Sequence, residues 1–302
     1  MTEYRIAFID DGGRNLTTYE WNGSTWSLIG GQLLLNTLYT FELCMVGNEE
    51  IAMVNESDFM LTCYSFKTGS WVQKGQPNLV DVATGITFKT MASIRPNRIS
   101  FLGYDSSIAD YPLRVYDFNN IYFSRVGNQL LVPTGVIHDS TGLDINTIAF
   151  VDDSSGELRK YFFDGTVFAQ VGSPLTISGM TNPVITALSS TRIALFDEGN
   201  DKLQAYDWNG TIFAAVGAPL TISGCSDACI DAISGSKIAF IDNSHQELRV
   251  YSFSGSAWSL VGTPLSISST LPKFTAFFKP LPLKCYNEQP LDGNAIWPIS
   301  DY

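Results

Sequence analysis

One phrase is written six times along this chain, and that repetition constrains the fold more than any other property. Two clear copies are RIALFDEGNDKLQAYDWNGTIFAAVGAPLTISG, from Arg192, and KIAFIDNSHQELRVYSFSGSAWSLVGTPLSIS, from Lys237. An apolar anchor segment opens each copy, with its first Ile at positions 6, 51, 99, 148, 193 and 238. The steps are 45, 48, 49, 45 and 45 residues, and the residues around Ser106 to Asp110 lengthen the third copy. A fixed period of this length means that each unit is one supersecondary element that buries its faces only against its neighbours.

Each unit reads as four short strands. After the anchor comes a second strand ending in Tyr-x-aromatic: Tyr19/Trp21, Tyr64/Phe66, Tyr116/Phe118, Tyr161/Phe163, Tyr206/Trp208 and Tyr251/Phe253. Residues two apart share a strand face. A tight turn follows, as in Asn22-Gly23, Asp164-Gly165 and Asn209-Gly210, and these pairs suit a two-residue hairpin. A third strand starts at Trp26, Trp71, Phe123, Phe168, Phe213 or Trp258 and is expected to close four residues later at a glycine. A fourth strand lies between copies, as in Ile185–Ser189 and Ile230–Ser234. No stretch sustains a helical period.

Four antiparallel strands in about 45 residues match a propeller blade. The expected fold is therefore all-β, a six-bladed β-propeller over residues 1–280, followed by an extended segment over 281–302. The chain enters the anchor strand of its first copy directly, and one spare strand, residues 273–278, follows the sixth copy. That strand is expected to complete the first blade and close the ring.

Composition narrows the function. The net charge is −12 and Lys and Arg do not cluster, which argues against nucleic acid. No apolar run approaches the length of a membrane helix, and no leader-like segment precedes the first repeat. The expected location is a virion, or the cytoplasm before assembly. Five cysteines form no disulfide framework, and Cys225 and Cys229 in GCSDAC lack further soft ligands nearby in sequence. No metal and no cofactor are expected.

The turns after the anchors are acidic. Asp10, Asp11, Asp152, Asp153, Asp197 and Asp242 share one ring face and are candidates for binding a polar ligand, although Asp is also a turn former in its own right. Recurrence in all six copies favours inter-blade packing for the repeated aromatics; among them Trp26, Trp71 and Trp258 are the ones expected to be exposed and are the candidates to face a sugar. His138 and His245 do not recur between copies, no hydrolase fingerprint is present, and no enzyme activity is expected. In the segment after the ring, Tyr286, Trp297 and Tyr302 are candidate anchors for a partner.

The phrase IAFID…YxWNG…VG resembles the short-repeat propellers of tailed-phage and bacterial proteins. In architecture the chain is similar to six-bladed fucose-binding fungal lectins. The first resemblance implies a binding or assembly module, a structural or host-attachment component at a phage tail or capsid surface. Its partners would be other proteins of the particle or a cell-surface glycan. The alternatives are a lectin with inter-blade sites and a hydrolase.

Overall fold

The computed structural model describes residues 4–10, 15–35, 41–47, 49–55, 58–80, 86–105, 110–132, 137–267 and 273–278. They form six antiparallel sheets, the six blades of a propeller. Blade 1 runs outward from Lys273–Phe278 through Tyr4–Asp10 and Asn15–Trp21 to Trp26–Leu34. Blade 5 shows the same order within one copy: Pro183–Ala187, Arg192–Asp197, Lys202–Trp208, Phe213–Thr221. The innermost strands adjoin one another in ring order, and those of blades 6 and 1 complete the circle. Among the described residues, no helix is long and apolar enough to cross a membrane.

The closing strand lies where the sequence puts it. Lys273–Phe278 pairs antiparallel with Tyr4–Asp10, with Ala276 opposite Ile6 and Thr275 opposite Ala7.

Each anchor strand is buried on both faces, and its alternation distributes residues between two junctions. Ile6 and Phe8 pack toward blade 6, whereas Ala7 and Ile9 pack toward blade 2. Ile193 and Leu195 face blade 4, and Ala194 and Phe196 face blade 6. The apolar residues therefore divide into six clusters, one per junction. The recurring Ala lies on the face toward the next blade, where its small side chain leaves room for that blade's rings.

Two turn readings are corrected. The hairpin is a two-residue turn only at Thr68-Gly69, where both residues have positive φ, 49° and 81°. In the other five blades the closing pair, such as Trp21 opposite Trp26, encloses four residues. The reason is side-chain capture of the backbone. Asn22 Oδ1 accepts the N–H groups of Ser24 and Thr25 at 2.9 and 3.0 Å. Asn119, Asp164 and Asn209 do the same in their blades, as Asx turns do.

The glycine expected to end the outer strand is instead a bulge within it in blades 1, 2, 3 and 5. Gly30 has φ +69°, and the strand continues to Leu34. In blades 4 and 6 the outer edge divides into two short pieces, Phe168–Gln170 with Leu175–Thr176 and Trp258–Leu260 with Leu265–Ser266.

The outer-strand glycine and the hairpin turn fit each other across every junction. The residue after each glycine donates its N–H to a turn carbonyl of the next blade. The six bonds are Gly31 to Gly69, Gln76 to Ile121, Asn128 to Thr166, Ser173 to Thr211, Ala218 to Ser256 and Thr263 to Ser24, at 2.5 to 3.0 Å. A Cβ on any of these glycines would lie 2.0–2.4 Å from that carbonyl oxygen. The recurrence of VG and of the Asn-Gly type of turn is thus one device, and its sixth copy fastens blade 6 to blade 1 at the rim.

Candidate functional site

Three of the candidate acidic turn residues have carboxylates directed inward. Asp152, Asp197 and Asp242 are buried. Asp152 Oδ1 accepts from Ser154 N, Ser154 Oγ and Ser155 N. Asp197 accepts from Thr181 N and from Asn200 Nδ2 at 2.6 Å. These groups organise their own turns, and Asp153 beside them is half-buried. The side chain of Asp10, the residue Asp11 and the side chain of His138 lie outside the described residues, as do Tyr286, Trp297 and Tyr302.

The tryptophans need a correction. Trp26, Trp71 and Trp258, expected to be exposed, are each only 5% exposed. Each begins an outer strand and pairs across the hairpin with the aromatic that ends the preceding strand. Trp21–Trp26, Phe66–Trp71 and Phe253–Trp258 have centroids 5.0–5.3 Å apart. The pair then folds onto the preceding blade, as Trp26 does onto Ile241 and Leu248. Among the described residues, the buried indole N–H groups of Trp26 and Trp258 have no hydrogen-bond partner. These rings contribute buried area rather than a polar handle.

What the sequence did not reveal is the layer of charge above those rings. In blade 1, Arg5 pairs across strands with Glu20 in the register, and its Nε donates to Glu20 Oε1 at 2.8 Å. Its guanidinium lies 5.9 Å from the centre of the Phe66 ring in blade 2, and Nη1 reaches Glu49 of that blade at 3.3 Å. Blade 3 repeats the arrangement. Arg98 clamps Asp117 through Nε and Nη2 at 2.5 and 2.6 Å and lies over Phe163 of blade 4 at 5.5 Å. In blade 5, Arg192 clamps Asp207 at 2.5 and 2.6 Å and covers Phe253 of blade 6 at 5.4 Å.

The carboxylate is the middle residue of Tyr-x-aromatic: Glu20, Asp117 and Asp207 in blades 1, 3 and 5. The other blades carry Ser65, Phe162 and Ser252 there. The arginine position holds Glu50, Thr147 and Lys237 in blades 2, 4 and 6. Blades 2 and 4 use a different cation. Lys74, from the outer strand, pairs with Glu50 at 2.6 Å and lies over Phe118, and Lys160 lies over Trp208. The ring is therefore six-bladed in backbone and threefold in its charged junctions. At the first odd junction a cleft of about 340 Å³ opens between Arg5, Glu20, Glu49 and Thr68, with Ile29 and Phe66 as its apolar wall.

A second cavity, the central channel of about 530 Å³, runs between the innermost strands. Asp139 and Asp231 lie in its wall and join blades. Asp139 Oδ1 accepts from Thr90 of blade 3 and Oδ2 from Ile185 N of blade 5, both at 2.9 Å. Asp231 accepts from Thr186 of blade 5 and Thr275 of blade 1, both at 2.9 Å. Asp231 thus bonds the closing strand from the channel side.

Blade 6 carries one more cluster. Cys225 Sγ donates to Asp242 Oδ2 at 3.0 Å, and His245 Nδ1 lies 2.7 Å from the same oxygen. Burial, and then the adjacent Asp242, pushes the Cys225 thiol up. Burial alone would raise the Asp242 carboxyl, but hydrogen bonds from Ser244, Cys225 and His245 hold it below the usual range. Cys44 and Cys63 lie in the junction between blades 2 and 3, where burial raises both thiols, Cys63 to about 12.

No family model matches the sequence, and no curated protein matches it either. Solved structures do share the fold. A six-bladed propeller lectin of Aleuria aurantia with a fucose recognition mode aligns with TM-score 0.56 at 16% identity, over 88% of this chain and 96% of that one. A periplasmic gluconolactonase of Pseudomonas aeruginosa aligns with TM-score 0.60 at 13% identity, over 91% and 100%. A putative 6-phosphogluconolactonase of Bacteroides uniformis aligns with TM-score 0.55 at 12% identity, over 88% and 83%. These likenesses establish the propeller fold. They also correct the expectation that the chain is not an enzyme: lactonases are built on this fold alongside lectins, so the fold carries no argument against catalysis.

Proposed function

We propose that the protein is a carbohydrate-binding propeller whose sites are the three odd junctions, centred on Arg5/Glu20, Arg98/Asp117 and Arg192/Asp207. The observation that carries this reading is the threefold recurrence of a guanidinium–carboxylate pair over an aromatic ring, at positions where the even blades carry other residues. A pair of this kind offers N–H donors and carboxylate acceptors side by side, which suits vicinal sugar hydroxyls. The apolar wall of the first cleft suits the C–H face of a pyranose. The lectin named above supports the reading as a protein of the same architecture that recognises fucose.

The test is a glycan array with the full-length protein, followed by calorimetry on the best glycan. The expected result is binding competed by free sugar, with three equivalent sites per chain, of which Asp117→Asn removes one. A blank array, or binding unchanged in variants of all three carboxylates, overturns it.

A second reading, hydrolysis of a sugar lactone, draws on the channel with Asp139 and Asp231 in its wall and on the lactonases of the same fold. Its test is turnover of gluconolactone that Asp231→Asn abolishes while the circular dichroism stays native. A host-attachment role within a particle is compatible with glycan binding. It predicts that removing residues 281–302 abolishes docking to the particle and spares glycan affinity.

A further inference from the structure

Among the described residues, one group of three side chains brings metal-ligating atoms together: Cys225 Sγ, an Asp242 carboxylate oxygen and a His245 ring nitrogen, all within 4.8 Å of one another. Other blades show what this place in the fold ordinarily holds. In blade 5 the residues at the same repeat positions are Met180, Asp197 and Asn200. Asn200 Nδ2 donates to Asp197 there, and buried Met180 belongs to the apolar cluster between blades 4 and 5. In blade 4 the turn carries Asp152 and Ser155, whose hydroxyl donates to Asp152 Oδ2 at 2.8 Å. The buried Asp is thus common to blades 4, 5 and 6 and organises the turn in each. Only blade 6 combines it with a thiol in place of Met and an imidazole in place of Asn. Both differences replace a poor ligand by a strong one, on two separate loops directed at one carboxylate.

We propose that Cys225 Sγ, Asp242 Oδ2 and His245 Nδ1 form a binding site for a divalent cation of the zinc class. It has three protein ligands and a fourth position open to solvent. Thiolate, imidazole and carboxylate together suit zinc and cobalt rather than calcium or magnesium. A tetrahedral ion with bonds of roughly 2.0–2.3 Å holds its ligand atoms about 3.3–3.6 Å apart. The present hydrogen-bond distances of 2.7 and 3.0 Å need to open by about half an ångström to reach that geometry. His245 can supply the first of these movements, because its side chain is 49% exposed, and the Cys225 thiol must supply the second. Entry of the ion expels the thiol proton of Cys225 and leaves the imidazole proton on Nε2.

The carboxylate is held from behind, as metal-ligating carboxylates are. Ser244 Oγ donates to Oδ1 at 2.7 Å, and Arg249 Nη1 reaches Oδ2 at 3.0 Å. Arg249 is the opposing charge, and Glu247, 2.8 Å from its Nη2, offsets it.

The experiment is titration of the reduced full-length protein with Co²⁺ alone, followed by displacement with Zn²⁺. One equivalent is expected to give the visible bands of tetrahedral Co²⁺ and a near-ultraviolet thiolate-to-cobalt band, both abolished by Zn²⁺. Cys225→Ser should remove the near-ultraviolet band. His245→Asn, which installs the blade 5 residue on an exposed side chain and spares the fold, should weaken binding at least about tenfold. The double change Met180→Cys with Asn200→His should raise the stoichiometry from one to two. The absence of any spectral change at saturating Co²⁺ overturns the proposal, and so does a spectrum unaltered by both Cys225→Ser and His245→Asn.

Discussion

The odd and even junctions of this ring share a backbone and differ in how they are finished. Both kinds have a positive-φ glycine set under the neighbour's turn, and both bury a cross-hairpin aromatic pair. At the odd junctions an arginine from the anchor strand is locked by its cross-strand carboxylate and laid over the next blade's phenylalanine. Two of the even junctions use a lysine from elsewhere in the blade, over Phe118 or Trp208. The difference separates two tasks. Elements present six times hold the disc together, because every blade needs a neighbour. Elements present three times are surplus to closure and are free to serve recognition.

The largest expected effect comes from the sixfold element, where odd and even should behave alike. Gly127→Val and Gly172→Val place a side chain against a backbone carbonyl at positive φ, at an odd and an even junction respectively. Each should cost about 3 kcal/mol or more in urea unfolding. A much smaller cost at Gly172 would make the rim contact part of the odd–even difference.

Next in size is Arg98→Met. It strips the clamp from Asp117, whose side chain is 32% exposed, so partial solvation limits the loss to about 2 kcal/mol. Lys237→Met, at the same repeat position in blade 6, should stay within about 0.5 kcal/mol. Equal losses would remove the distinction between the two kinds of junction. Arg192→Lys keeps the charge but loses the two-pronged contact with Asp207. Because the pair is about one-third exposed, it should cost under about 1 kcal/mol. Its effect on glycan affinity, read by calorimetry, should exceed its effect on stability.

The smallest stability change sharpens the comparison most. Lys237→Arg with Ser252→Asp installs the odd pair at a register position where the two residues already face each other. It should add at most about 0.5 kcal/mol in thermal unfolding. The number of glycan sites should rise from three to four, and an unchanged number would detach the arginine clamp from sugar binding.

How much of this was legible beforehand follows from what each feature depends on. The blades, their four strands and the closing strand at 273–278 depend on period and alternation, which adjacent residues display. The tryptophans were placed outside because a strand's first residue looks like an edge. Only the pairing of Trp26 with Trp21 shows that both rings turn toward the neighbouring blade. The glycine was read as a stop signal because a positive φ does not reveal from the sequence whether a strand resumes. The odd–even alternation is visible once seen, as Glu20, Asp117 and Asp207 against Ser65, Phe162 and Ser252. Its meaning requires the register that sets Arg5 against Glu20 and the next blade that supplies Phe66. The group of Cys225, Asp242 and His245 was hidden for the same reason: its members are 17 and 3 residues apart and meet only because an inter-blade loop returns over the anchor turn.

The ring is fastened twice between blades 6 and 1: on the inside by Lys273–Phe278 and Asp231, and at the rim by Thr263 on Ser24. During folding, five junctions form between sequence neighbours. The last must bring together segments separated by nearly the whole repeat array, at an entropic cost of about 5 kcal/mol. The two fasteners therefore act as a latch on a topological circle. Opening the circle at another inter-blade loop and covalently joining the two segments at the latch would shift this slow, non-local step elsewhere without altering the finished disc. Folding rate and final architecture become separately adjustable in such a molecule.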